Sequence, residues 1–240
     1  SSAASDVYKR QVQVSQYYQN LRVIFFDGSV NAQLFTTQLF RDYSAWYHLV
    51  LAVDTTQGTA ANRIKLYVNG TQITDLSTAT YPSQNFDTSF SLNGHYLSIA
   101  QNSYWHTSNT YNGGVDGNLA EVHVLDGVAK APSDFGETNS DTGQWVPKEY
   151  EGGSYGTNGF YGKFASGAIG TDSSGEGNTM TVVNLANSDV VIDTPNNNFC
   201  TLNRLSNHNA ALTEGNLVAA QAGHSDTTAT FKIPHTGKWY

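Results

Sequence analysis

The chain has 240 residues and a formal charge of −8 from 12 basic and 20 acidic side chains, with charged residues at only 13%. No basic cluster is present to face a phosphate backbone, and no apolar run approaches the roughly 20 residues of a spanning helix, so neither nucleic acid nor a membrane is an expected partner. With 22 glycines, 14 tyrosines and 11 phenylalanines, the composition suits many short strands and tight turns with uncharged Ser, Thr and Asn surfaces, a profile of extracellular or virion β proteins.

Residues 1–11, SSAASDVYKRQ, have no periodicity and resemble a translated sequencing adapter, so they are set aside as a non-native segment. On that footing the first strands are missing, and an exposed apolar edge is expected near Phe25, Phe26 or Phe35. Strands are predicted at Leu21–Phe26, Gln33–Phe40, Trp46–Asp54, Arg63–Val68, Thr71–Leu76, Tyr96–Ala100 and Asn118–Leu125. Trp46–Val53 is apolar on both alternating faces, as in a central strand covered on each side. Ile64, Leu66 and Val68 alternate with Arg63, Lys65 and Tyr67, so that strand buries one face. It meets Asn69-Gly70, the pair suited to positive φ at both central positions of a type I′ turn, which makes Arg63–Leu76 a hairpin. Trp46, Leu49, Leu51, Val53, Leu66, Val68, Leu119 and Val122 are the expected core.

The stretch APSDFG, 131–136, is expected to make one short turn. Residues 137–159 are rich in Gly, Ser, Thr and Asn and read as a linker. Strand-like pieces resume at Phe160–Phe164, Thr179–Val183, Val190–Asp193 and Thr228–Ile233. The expected organisation is therefore an antiparallel β-sandwich over 12–136, a linker over 137–159 and a partial, less compact second β-sandwich over 160–240. Cys200 is the single cysteine. It forms no intrachain disulfide and is expected to be a small buried hydrophobe beside Phe199 and Leu202.

The stretches WYHLVLAVDTT, NRIKLYVNGTQI and GNLAEVHVLDGVA resemble the concanavalin A-like lectin/glucanase superfamily, specifically its laminin G-like branch, over residues 21–136. The run from ATYPSQNFDT through LAEVHVLDG to TDSSGEGN is similar to structural and tail-fibre proteins of marine bacteriophages. There a laminin G-like unit is followed by a SPRY-like sandwich, whose beginning GKWY resembles. The resemblance implies an all-β, jelly-roll fold.

Glucanases of that superfamily place carboxylates on alternate positions of one strand so that one attacks and one protonates. Here Asn118–Leu125 offers only Glu121, with His123 two residues on, and the nearest alternate pair, Glu149 and Glu151, lies in the Gly-rich connection. Without a positioned acid pair the chain is expected to be no enzyme. GGSYG, 152–156, matches the nucleophile-elbow pattern but lacks the strand and helix that the elbow requires. The seven histidines have no zinc-type spacing, and His48 reads as a hydrogen-bonded core histidine.

Calcium is the candidate metal, since Asp- and Asn-rich loops supply hard oxygens and, as the resemblance implies, related sandwiches bind it. YNGGVDGN offers Asn112, Asp116 and Asn118, and TDSSGEGN offers Asp172, Glu176 and Asn178; the alternative is that these oxygens close Asx turns on their own backbone. NSYWHTSNTY, 102–111, puts Tyr104, Trp105, His106 and Tyr111, followed by Asn112, in a polar loop. Aromatic faces there can stack on a sugar ring while amides bond its hydroxyls, or they can pack inward against the sandwich. The expected function is a non-enzymatic recognition or structural module of a phage virion, from a tail fibre, contacting host-surface carbohydrate and acting as a homo-oligomer. The alternatives are a purely structural spacer, or a secreted, extracellular accessory domain of a bacterial glycan hydrolase.

Overall fold

The computed structural model describes residues 10–17, 19–27, 30–42, 45–88, 117–196, 200–213, 216–220 and 223–230. Every strand pairing among them is antiparallel, so the chain is all-β as the composition and turn spacing implied. The first sheet runs in the order β1 (Arg10–Tyr17), β2 (Asn20–Asp27), β3 (Val30–Leu39), β7 (Leu76–Thr80). The second holds β4 (Leu49–Val53), β5 (Ile64–Val68) and β6 (Thr71–Gln72) in that order.

Period-two burial joins the two sheets. Leu21, Val23 and Phe25 on β2 and Ala32 and Leu34 on β3 point inward, and they meet Ile64, Leu66 and Val68 of β5 in one apolar cluster that Phe40 closes. A cluster fed from both sheets is the core of a sandwich. The next inward position of β3 is Thr36, fully buried, whose hydroxyl accepts Leu21 N–H at 3.1 Å and donates to Gln38 O at 2.9 Å. That side chain satisfies the amide left over where the β2–β3 register slips between Asn20 and Arg22.

The expected hairpin forms. Asn69 and Gly70 take φ of 47° and 79°, and Val68 pairs Thr71 across them. Beyond it the predicted strand Thr71–Leu76 divides: Ile73 N–H still bonds Leu66 O at 2.9 Å, whereas Leu76 pairs Thr36 in the other sheet, so residues 73–75 carry the chain from one layer to the next.

Residues 10 and 11 of the segment set aside lie in β1, whose full length pairs with β2. Several expectations are corrected. Phe25 is buried and Phe35 lies under the Arg22 guanidinium at 4.3 Å, so the exposed edge is absent at both; the side chain of Phe26 is outside the described set. β4 is an outer strand of its sheet among the described residues, because only β5 pairs with it; Leu51 and Val53 pack on the core while Leu49 is 41% exposed. Leu119 is exposed, and Trp46 and Val122 are half-buried. Cys200 is exposed. The predicted strand Tyr96–Ala100 lies outside the described residues.

Residues 137–159, read as a linker, hold a hairpin of β9 (Gly136–Thr138) and β10 (Trp145–Pro147), entered by the expected short turn, a 3-10 turn at Pro132–Asp134. Asn139 Oδ1 caps its loop by accepting Asp141 N–H at 2.9 Å and Thr142 N–H at 3.0 Å. The hairpin docks on the β5–β6 turn through Trp145. A Cβ at Gly70 would fall 2.4 Å from the indole ring and one at Gly136 2.5 Å from it, so glycine at both positions makes room for the ring. Trp145 Nε1–H donates to His48 Nδ1 at 2.9 Å, which gives His48 the hydrogen bond expected of it, though in a half-buried position before β4 rather than in the core.

β8 (Val122–Val124) pairs with β11 (Phe160–Gly162), so the chain on either side of the expected linker shares one ladder. β12 (Leu202–His208) pairs with β15 (Asp226–Ala229), and β13 (Ala211–Thr213) with β14 (Val218–Ala220). Thr179–Val183 and Val190–Asp193 form no strand. Among the described residues beyond Gly162, Ala210 is the one buried core side chain, while Val183, Leu185 and Ile192 are more than half exposed.

Candidate functional site

The β8–β11 ladder sets Tyr161 directly opposite His123, with ring centroids 4.2 Å apart and planes within 15°. His123 Nδ1 lies 2.8 Å from the Tyr155 hydroxyl, and its Nε2 lies 4.0 Å from the carboxylate of Glu121. The neutral tautomer with its proton on Nε2 serves both neighbours: N–H faces Glu121 while Nδ1 accepts from Tyr155. The Tyr161 hydroxyl donates to the same Glu121 oxygen. Phe135 and Tyr150 stack on each other at 5.1 Å and tile against His123 at 5.2 and 6.3 Å, completing a small aromatic cluster.

Local sequence explains how the parts are held. Gly156, at φ 80°, lets its backbone close on Asp126, where a Cβ would meet a carbonyl oxygen at 2.4 Å. Asp126 N–H then bonds Tyr155 O at 2.8 Å, and its carboxylate takes the Asn158 side-chain N–H at 2.8 Å. Asp172 fixes the other side. Its carboxylate accepts N–H from Tyr161, Ser174 and Asn178 and the Ser174 hydroxyl, at 2.8–2.9 Å.

The electrostatics follow from burial and those bonds. Desolvation, then the positive charge available at His48, lowers His123 to about 4. Burial raises Tyr161, and its bond to Glu121 raises it further because the neutral phenol is the donor. Tyr155 is pushed up to about 12 by desolvation, then by Tyr150, Glu121 and Asp172. Desolvation raises Asp172, but the three backbone N–H groups and the hydroxyl outweigh it and hold the group at about 2.

What reaches solvent is a polar rim on an aromatic floor. Glu121 is 41% exposed whereas His123 is 10% exposed. Lys163 is exposed, with Nζ 5.2 Å from the Tyr161 centroid, and Lys130 Nζ is 5.9 Å from that of Tyr150. A carboxylate, an ammonium and a phenol edge can bond a polyol. Glu149 adds charge felt at Tyr161.

Of the candidate residues named from sequence, Tyr104, Trp105, His106, Tyr111, Asn112 and Asp116 lie outside the described residues. Asn118 is exposed. Among the described residues no group of three His, Cys, Asp or Glu side chains is arranged to hold a metal ion. The TDSSGEGN loop does not fit calcium, because Asp172 is engaged by N–H and O–H donors, Glu176 takes the Ser154 hydroxyl at 2.7 Å, and the Asn178 amide donates to Thr157 O and Gly159 O. It is the Asx-type closure. In GGSYG, Ser154 has that carboxylate for its partner and neither a strand before it nor a helix after it. Tyr161, Tyr155, Tyr150 and Phe135 were missed by sequence reasoning. Their signal was aromatic residues recurring in a Gly-rich stretch, which reads equally as loop.

Among the described residues no helix is long and apolar enough to cross a membrane. Comparison with protein-family models, with curated proteins and with solved structures finds no match.

Proposed function

We propose that this chain is a non-enzymatic recognition module of a bacteriophage virion, a laminin G-like jelly-roll unit of a tail fibre that binds host-surface carbohydrate and acts as a homo-oligomer. The observation that supports recognition is the rim of Glu121, Tyr161 and Lys163 on a two-stranded ladder, with aromatic rings beneath it. Carboxylate and ammonium groups bond sugar hydroxyls, and a ring beside them takes the apolar face. A shallow site of this kind binds weakly, and repetition on an oligomeric fibre restores avidity. The virion assignment draws on the resemblance of the strand motifs.

Glycan-array binding followed by calorimetry tests the reading. Wild type should bind, and Glu121→Gln, Lys163→Ala or Trp105→Ala should each weaken binding. Strong binding indifferent to all three moves the site elsewhere. Release of reducing sugar by wild type that is lost in Glu121→Gln overturns the non-enzyme reading. One observation favours the spacer instead: Phe135 and Tyr155 are buried among their neighbours, as core rings are. A folded chain that binds no glycan on the array supports that alternative.

A further inference from the structure

We propose that the β9–β10 hairpin is an acid-released latch, held on the β4–β5–β6 sheet by the hydrogen bond from Trp145 Nε1 to His48 Nδ1. An indole nitrogen is a donor and nothing else, so the bond exists only while Nδ1 of His48 carries no proton. Protonating His48 at Nδ1 turns an acceptor into a second donor facing the first. The ring stacking, at 5.9 Å and 29°, then holds a cation against the indole without the bond that oriented it.

The geometry makes this contact decisive for docking. Trp145 fills the space over Gly70 and Gly136, and it is the one large apolar side chain of the three-residue β10. Among the described residues, the groups that meet His48 are the Trp145 indole from β10, the Asn69 carboxamide, whose oxygen takes the His48 backbone N–H at 2.8 Å, and the His123 imidazole of β8 through its charge. None of these is a carboxylate, and burial lowers the affinity of His48 for a proton. The ionisable side chains of the hairpin and its flanks are Asp134, Glu137, Asp141, Lys148 and Glu149; Lys148 Nζ is tied to Ser133 O at 2.9 Å.

Release would propagate. Phe135 and Tyr150 stand immediately before and shortly after the hairpin, stack on each other, and pack against His123. His123 in turn meets Glu121, Tyr155 and Tyr161. Given the recognition role proposed above, on which this consequence rests, undocking the hairpin removes the packing behind the Glu121–Tyr161 rim and weakens binding in acid. A two-state element biased by histidine is a known route to such control.

The test is NMR on the whole chain, lowering the pH from about 7 to about 4, across the ordinary histidine range. The Trp145 indole N–H signal is assigned by its loss in Trp145→Phe. It should shift or broaden with the midpoint at which the His48 ring titrates, while the amides of Ile64–Val68 stay in place. In His48→Gln, whose amide oxygen can accept without titrating, the Trp145 signal should remain docked through that range. A Trp145 signal that ignores the titration of His48, or that moves identically in His48→Gln, overturns the latch. So does simultaneous loss of the Ile64–Val68 amides, which would be global unfolding. Calorimetry with the array-selected glycan at both pH values separates the two readings: no binding at either overturns the recognition role, whereas the latch is read from Trp145 alone.

Discussion

Gly70→Ala should be among the costlier single-methyl additions in this protein, and the reason can be divided. At φ 79° an alanine occupies the left-handed region, which costs about 1–2 kcal/mol, offset by about 0.4–1 kcal/mol from the stiffer unfolded chain. Gly127, at φ 85° with nothing within 4 Å of its would-be Cβ, carries that backbone cost alone. At Gly70 the same methyl would sit 2.4, 2.6 and 2.7 Å from three ring carbons of Trp145, when contacts of about 3.5–4.0 Å are comfortable. The indole must retreat by about 1 Å or more, an overpacking cost of about 1–3 kcal/mol. It also strains the bond to His48, worth about 0.5–1.5 kcal/mol. Urea denaturation should therefore show Gly70→Ala to be about 1.5–4.5 kcal/mol more destabilising than Gly127→Ala. In a Trp145→Ala background the excess should disappear. Equal costs at the two glycines, or an excess that survives removal of Trp145, would refute the docking of the hairpin on the turn.

Phe25→Ala, emptying the shared core of the two sheets, should lose about 3–5 kcal/mol in the same assay, whereas Val30→Ala at an exposed site should stay within about 0.5 kcal/mol. Asp172→Asn keeps the shape but replaces one oxygen, which accepts two of the four bonds, by an amide nitrogen that cannot accept, and should cost about 1–2 kcal/mol at neutral pH. Because the folded value of Asp172, about 2, is below the ordinary 3.8, its contribution is present above pH 3.8 and lost as pH falls through 2, so the variant should flatten acid denaturation in that window. His123 has a folded value of about 4, below 6.5; its contribution is whole above pH 6.5 and declines as pH falls toward 4, and His123→Gln should remove that slope.

The parts of the fold that were legible in the sequence are those whose signal is local. Ile64, Leu66 and Val68 announce their buried face by alternation, and Asn69-Gly70 announces its turn by the φ values that the pair tolerates. The β9–β10 hairpin was not legible. Strands of three residues are too short for a period, and the information that docks them is a tryptophan meeting a glycine and a histidine far away in the chain. β4, read as a central strand, has one partner strand among the described residues, for a related reason: apolar residues on both faces do not reveal how many neighbours a strand has. Glu121 and His123 were noticed together on one strand, but the rings around them arrive by the register of β8 on β11 and by the fold of 150–161, which no spacing within either segment encodes. Asp172 shows the converse. Its Asp, Ser and Gly neighbours permitted either a cation site or an Asx closure, and the count of N–H donors decides for the closure.

The backbone around the candidate site carries a signal independent of side-chain chemistry. Most non-glycine residues with positive φ are asparagines, at 69, 85, 184, 209 and 216, which tolerate the left-handed region. Of the other three, none shares that tolerance, and each adopts it at a cost of about 1–2 kcal/mol. Gln19 at 74° sits in the β1–β2 turn, while Glu121 at 52° and Phe164 at 51° fall together. They stand at the same end of one ladder, since Val122 pairs Gly162 there: Glu121 directly precedes β8, and Phe164 follows Lys163 just beyond β11. A turn alone would be served better by asparagine or glycine. Glu121 in that conformation delivers its carboxylate to the Tyr161 hydroxyl and to within 4.0 Å of His123, and Phe164 bends the chain immediately after Lys163. Strain of this sort persists where surrounding contacts over-determine it, and it gathers at sites that place particular groups. That concentration at the exposed end of a ladder with a buried aromatic floor is why the Glu121–Tyr161–Lys163 rim, rather than the polar groove of about 500 Å³ beside Gln38, Gln72 and Asp75, is the better candidate for contact with a ligand.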